Sequence, residues 1–431
     1  MRPNLILGGT LVGGALLTLT AFYPPARPFF GADSRVALVK AASVAAYPPL
    51  SAKPVCDTTI RVPAGFCAVL VAEGLSAPRH IAVAPNGDVF AASARGGVIA
   101  LRDTTGDGKA DVVRTWGRDA GTGIALSGGY LYFAANATIY RWPWAAGQLE
   151  PAVNAEVIVD GLPTGGHSAK PIVVKDGALY VDIGSATNSC QENDRAARSP
   201  GRMPCTELAT RAGIWRFAAG QAGQTPASGT RFATGLRNPM ALAFDPATGK
   251  LWMATHGRDQ LSANWGFSDS MNAELPAEEF GPVEQGADYG WPYCFYDPLA
   301  RRKVQNPEYG GDGQMVGDCA TKTQPAIGFP GHWAPIGLTF YGGTSFPASY
   351  RGGAFLAFHG SWNRAPLAQA GYRVVFIPFR NGRPSGDYQT FLEGASSPIR
   401  PIGLGVSADG ALYVSADAQG KVWRVTYVGG R

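Results

Sequence analysis

Six times along this chain a short apolar segment runs into a Gly or Asn-Gly type turn and out again into a second apolar segment. The stretches are HIAVAPNGDVFAAS from His80, GIALSGGYLYFAAN from Gly123, PIVVKDGALYVDIG from Pro171, ALAFDPATGKLWMATHG from Ala241, GLTFYGGTSFPASYRGGAFLAFHG from Gly337 and GLGVSADGALYVSAD from Gly403. Each reads as two strands of β-branched and aromatic residues joined by a tight turn, and recurrence every few tens of residues is the signature of a propeller. The expected fold class is therefore all-β, a six-bladed β-propeller. If each hairpin is the inner pair of a blade, the residues that enter its first strand and leave its second lie together, opposite the turn. One rim of the central channel should collect Arg79 and His80, His167, Arg237 and Asn238, His256 to Arg258, His332, His359 and Arg400. All five histidines of the chain fall at or near such ends.

The 431 residues suit a single large β domain, and 57 Gly with 33 Pro fit a turn-rich chain. Only 16% of residues are charged, and the net charge of +5 comes from dispersed Lys and Arg without a basic stripe. That excludes a nucleic-acid binder of the usual kind and leaves room for an anionic ligand in a local pocket.

Near the N-terminus, one Arg precedes roughly 18 mostly apolar residues from Leu5 to Phe22. Residues 1–22 read as a signal peptide or an N-terminal membrane anchor, with the rest exported, to the periplasm in a bacterial setting. Residues 23–60 read as a Pro/Ala-rich linker and 61–431 as the propeller domain. The last strand, KVWRVTYV from Lys421, and the early FCAVLVAEG from Phe66 are expected to share one blade and close the ring.

Six cysteines in an exported chain favour disulfides. Of the 15 connectivities, pairing of neighbours is expected (Cys56 with Cys67, Cys190 with Cys205, Cys294 with Cys319), because each pair brackets an apparent loop. No CxxC spacing supports a zinc site. The hairpins are unevenly spaced, and the long stretches 185–228 and 259–335 should overhang the rim as pocket walls. LRDTTGDGKADVV sets Asp103, Asp107 and Asp111 at a spacing like that of a calcium loop, but Arg114 stands where the bidentate Glu belongs. An ordinary turn is the first expectation and a second Ca2+ site the other. No GxGxxG follows a strand and no GxSxG occurs.

Taken in order, GGHSAKPIVVKDGALYVDIGS, GLRNPMALAFDPATGKLWMATHGRD, ADYGWP, HWAPIGLTFYGG, FHGSWNR and SPIRPIGLGVSADGALYVS resemble the motifs of the soluble sugar dehydrogenases that use pyrroloquinoline quinone, in particular the sorbosone dehydrogenase group. The resemblance spans about residues 65 to 428. It implies an oxidoreductase acting on an aldose or a sugar-derived aldehyde, with a periplasmic or membrane electron acceptor. By residue, it implies His167 as general base and Arg237 as stabiliser of the reduced quinone. Asn238, Arg364 and Arg400 become cofactor contacts, and the main-chain carbonyls of Gly257 and Arg258 ligands to Ca2+. A neutral imidazole suits proton removal near neutral pH, and Arg suits planar oxyanions.

Three positions depart from the pattern. Gly166 replaces an Asp before the base, Gly121-Thr122-Gly123 replaces Gln-Asn-Gly, and Gly257-Arg258 replaces Gly-Pro. A calcium-dependent propeller lactonase and a non-catalytic secreted binding propeller are the competing readings, since a propeller alone does not dictate function.

Overall fold

A computed structural model describes residues 54–429; the signal or anchor expected over 1–22 and most of the linker lie outside them. Six antiparallel sheets follow one another around a central axis, one per sequence hairpin. The first two strands of each are the expected hairpin: Pro78–Val83 with Val89–Ser93, Gly121–Ser127 with Tyr130–Ala135, Ile172–Lys175 with Ala178–Ile183, Ala241–Phe244 with Leu251–Thr255, Pro335–Phe340 with Ala354–Phe358, and Pro401–Val406 with Leu412–Ala416. The innermost strands pack side by side in a closed circuit. They line a channel of about 260 Å3 to which each blade contributes, through His80, Ile124, Ile172, Leu242, Leu338 and Leu404.

Two innermost glycines show how close these strands run. A Cβ on Gly337 would stand 1.8 Å from the carbonyl oxygen of Ile402, and one on Gly403 2.4 Å from that of Arg79. Only a residue without a side chain fits either place. Between blades the packing is apolar and aromatic. Phe355, Phe376, Phe391 and Phe346 fill the gap between the fifth and sixth blades, and the fully buried Trp252 and Phe280 pack towards the fifth blade from the fourth.

Ring closure follows the expectation. Phe66–Ala72 pairs antiparallel with Lys421–Tyr427, from Phe66 opposite Tyr427 to Ala72 opposite Val422. Just before it, Ile60–Arg61 adds a fifth strand to the fifth blade opposite Glu393 and Gly394. Cys56 and Asp57 are already tied to the propeller, through the disulfide to Cys67 and the Asp57 N–H on the Ala68 carbonyl. All three neighbouring disulfides form: Cys56–Cys67, Cys190–Cys205 and Cys294–Cys319.

In the Asp103 loop the carboxylates cap the loop's own amides: Asp103 accepts from Gly106 and Gly108, Asp107 from Lys109 and Asp111 from Thr104. This is turn chemistry, and it uses the oxygens that a cation would need. Among the described residues no helix is long and apolar enough to cross a membrane.

Candidate active site

Every hairpin enters from and returns to the same end of the channel, and the long excursions build over that end. They also lock to one another. Gly201 N–H donates to the Glu308 carbonyl (2.9 Å), the Tyr309 hydroxyl to Ser189 O (3.1 Å) and Asn264 Nδ2 to Arg195 O (3.1 Å). The wall over the third and fourth blades is therefore one cross-braced unit.

His167 sits in the turn before the third blade, half-buried. Its Nδ1 lies 2.9 Å from the Ser185 carbonyl oxygen and 3.0 Å from Ser185 Oγ. A carbonyl can only accept, so Nδ1 carries the hydrogen and Nε2 is left with a free lone pair. Burial, and then the nearby Arg237 guanidinium, hold the imidazole well below its ordinary pKa, so it is neutral at pH 7. Ser185 thereby supplies the orientation that an Asp at position 166 would otherwise have given. Its own position is fixed by Ser185 N–H to the Arg237 carbonyl (2.8 Å) and by Oγ to the Thr187 carbonyl (2.7 Å).

Arg237 is buried, and four of the five donors a guanidinium carries are engaged. Nε and Nη2 bond the Asn188 carbonyl and Oδ1, both at 3.1 Å, Nη2 also reaches Asp259 Oδ2 at 2.9 Å, and Nη1 reaches the Gly257 carbonyl at 2.8 Å. Burial lowers the Arg237 pKa while Asp259 opposes the shift. Asp259 would rise on burial, but Arg237, the bond to His332 and Arg195 together hold its carboxyl far below the usual range. Asn238 donates from Nδ2 to His256 Nδ1 (3.3 Å), and His256 Nε2 donates to the Pro335 carbonyl (2.9 Å). Burial and Arg237 push His256 down to about 4. His80, which donates to the Ile336 carbonyl (2.9 Å), is brought to about 4 by burial and Arg79.

Across the channel, Arg400 Nη1 lies 3.2 Å from His359 Nδ1, and His359 Nε2 lies 2.9 Å from Asp417 Oδ1, whose other oxygen accepts from Arg79 at 3.1 Å. Three guanidiniums, of Arg79, Arg195 and Arg237, thus pair with two aspartates, Asp417 and Asp259, and a fourth, of Arg400, reaches Asp417 only through His359. Such a mouth attracts an anion.

The expected residues are not all brought together. His167, Arg237 and Asn238 converge: a Cβ on Gly184 would lie 2.6 Å from His167 Cβ and 2.9 Å from Asn238 Oδ1. Arg400 lies on the opposite wall with His359. Arg364 is engaged elsewhere, clamping the carbonyls of Ala273, Gly331 and Ala368 and the Glu274 carboxylate. As placed, its role is to fasten the wall. The Arg258 side chain is fully buried against Glu308 (2.6 Å).

Residues not singled out from sequence are Ser185, Asn188, Asp259 and Asp417. Ser185 and Asp417 follow the hairpin-end rule and could have been found by it. Asn188 sits inside an insertion with no periodic signal. The close approach at Gly184 carries its own test: Gly184→Ala should lower turnover about 10²-fold by displacing His167, with overpacking of about 1–3 kcal/mol. Steady-state rates and a denaturation curve on the same variant separate the two effects.

A family model described as TrAA12-like matches residues 60–428. The chain belongs to the TrAA12-like family. It is 21% identical over 389 residues to the pyrroloquinoline quinone-dependent sugar dehydrogenase of Hypocrea jecorina, covering 82% of this chain and 86% of that one. Over 135 residues it is 30% identical to the pyrroloquinoline quinone-dependent pyranose dehydrogenase of Coprinopsis cinerea, 26% of this chain and 17% of that one. An uncharacterised protein of Borreliella burgdorferi is 30% identical over 203 residues, and the TrAA12-like chain spans 48% of its length. Among solved structures, the Trichoderma reesei family AA12 enzyme superposes with a TM-score of 0.73 at 20% identity, covering 87% of this chain and 100% of that one. The fold is thus that of the TrAA12-like enzymes.

A tricarboxylated quinone fits the donor set of this TrAA12-like site. The mouth is cationic, and Asn238 Oδ1 is buried there without a partner, an acceptor that a ligand N–H or O–H would satisfy. Of the two carbonyls expected to hold calcium, that of Gly257 accepts from the Arg237 cation at 2.8 Å, an arrangement that does not suit a second cation at the same oxygen.

Proposed function

We propose that this chain is an exported quinoprotein that oxidises an aldose or a sugar-derived aldehyde such as sorbosone and hands the electrons to a separate acceptor. Bound pyrroloquinoline quinone would supply the two-electron chemistry by accepting a hydride from the sugar carbon. Arg79, Arg400 and Asn238 would hold it, and Arg237 would contribute buried positive charge that Asp259 only partly offsets.

The observation that carries the reading is His167, a neutral imidazole whose tautomer is fixed by Ser185 beside a guanidinium. With Nδ1–H tied to a carbonyl, Nε2 is the atom that takes the proton from a substrate hydroxyl. The nearby Arg237 limits the basicity of Nε2, so the proton taken up is readily given to water afterwards. Three disulfides are in keeping with an oxidising compartment.

The test is reconstitution of purified apoprotein with pyrroloquinoline quinone, with and without Ca2+, an artificial dye and a panel of aldoses and aldehydes. The expected result is dye reduction that requires the quinone, accompanied by a change in its absorbance on binding. Absence of both, or hydrolysis of lactones without quinone, overturns the proposal.

A further inference from the structure

Nine of the ten tryptophans are buried or half-buried, and Trp362 is the exception at 61% exposed. Exposure here is not slack. Ser361, just before it, is held by Tyr372 Oη on its carbonyl (2.7 Å), by the Ala370 carbonyl on its N–H (2.8 Å) and by Gln369 on its hydroxyl (2.7 Å). Just after it, the Asn363 carbonyl accepts from Asn272 Nδ2 (2.8 Å), and Arg364 is the clamp described above. A large apolar ring is therefore presented to water on a rigid support.

Its surroundings belong to the site. Three residues earlier in the chain is His359, and the Arg195 guanidinium stands over the indole at 5.9 Å. That guanidinium also reaches Asp259 Oδ2 (3.0 Å), which holds Arg237, and Gln260 Oε1 (3.2 Å). Trp362 thus stands at the lip of the mouth, with the row Arg195, Asp259, Arg237 between it and His167.

Resting on the sugar-oxidising reading above, we infer that Trp362 is the platform of a second saccharide position, taking the ring next to the one that meets His167. A flat indole face matches the C–H face of a pyranose, and Arg195 and Gln260 beside it supply the polar groups that a ring's hydroxyls need. Arginine over one face stiffens the indole through the cation–π contact. The substrates favoured are then the ends of neutral oligosaccharides rather than free monosaccharides.

Calorimetric binding of glucose and of cellotriose and maltotriose to the full chain, with wild type, Trp362→Ala and Trp362→Phe, tests this without turnover. At least one trisaccharide is expected to bind wild type about tenfold more tightly than glucose. Trp362→Ala should erase that margin with glucose unchanged, and Trp362→Phe should keep most of it. In the reconstituted enzyme the loss should fall on the trisaccharide KM and leave kcat alone. A wild type with no preference for either trisaccharide, or an alanine variant that weakens glucose and trisaccharide alike, overturns the second position. Trisaccharide binding lost with Trp362→Ala while no sugar reduces the dye would support the platform and sink the dehydrogenase reading, so the two fail separately. A variant that keeps all sugar parameters and slows only reoxidation by a protein acceptor would make Trp362 a docking residue and also overturn the inference.

Discussion

Replacing His167 with alanine should lower kcat about 10²–10⁴-fold, the range that a positioned general base supplies, while pyrroloquinoline quinone still binds and the fold is retained. His167 lies half-buried in a turn and anchors no apolar cluster, so its loss should touch rate far more than stability. Quinone absorbance on titration reports binding, and dye reduction reports rate. A variant that loses both together would make His167 a cofactor ligand instead of the base.

The same residue sets a pH dependence. The base is active only when neutral, and burial with Arg237 nearby lowers its folded pKa well under 6.5. Protonation therefore comes at lower pH than for a free imidazole, so the acid limb of kcat/KM should fall below pH 6.5. An acid limb at or above 6.5 would contradict the assigned environment.

The second large effect concerns stability. Arg258 and Glu308 form an ion pair whose side chains are 1% and 0% exposed, with Trp265 Nε1 donating to the same Glu308 oxygen at 2.9 Å. Arg258→Met leaves the carboxylate buried without its cation and should cost about 3–5 kcal/mol of unfolding free energy. Burial already raises the Glu308 pKa against the pull of Arg258. Without the arginine it should rise further, and the carboxyl should take up a proton instead of staying charged. Denaturant unfolding across pH checks both parts: the loss should be largest near neutral pH and shrink as pH falls. The double variant Arg258→Met/Glu308→Gln should recover part of it at neutral pH. A loss independent of pH would mean that lost packing, not an orphaned charge, is responsible.

Periodicity made the propeller readable, because a hairpin that repeats six times carries its own statistics, and ring closure followed from the need to cover an edge strand. The hairpin ends pointed to His167, Arg237, Asn238 and Arg400; Ser185 and Asp417, which close the hydrogen-bonding around two of the histidines, also stand at hairpin ends but were not singled out. Partners in the insertions stayed hidden. Asn188 and Asp259 are 71 residues apart and meet only because two long loops fold against each other, and no local pattern encodes that meeting. For the same reason the side-chain partner of Arg258 was not legible: it is Glu308, 50 residues away. Arg364 was expected at the cofactor. Its sequence position is on the rim, but the carbonyls of Ala273 and Gly331, brought by another blade's excursion, take its guanidinium.

Pairing of Phe66–Ala72 with Lys421–Tyr427 also constrains the order of events in biogenesis. A chain emerging from a ribosome or a translocation pore N-terminus first cannot complete its sixth sheet until nearly the whole polypeptide is out. Until then the early strand has no partner, and neighbouring blades lack the compression that a shut ring provides. Contacts of this sequence span are slow to form, so the final docking step gates the moment at which the mouth, and any ligand in it, becomes organised.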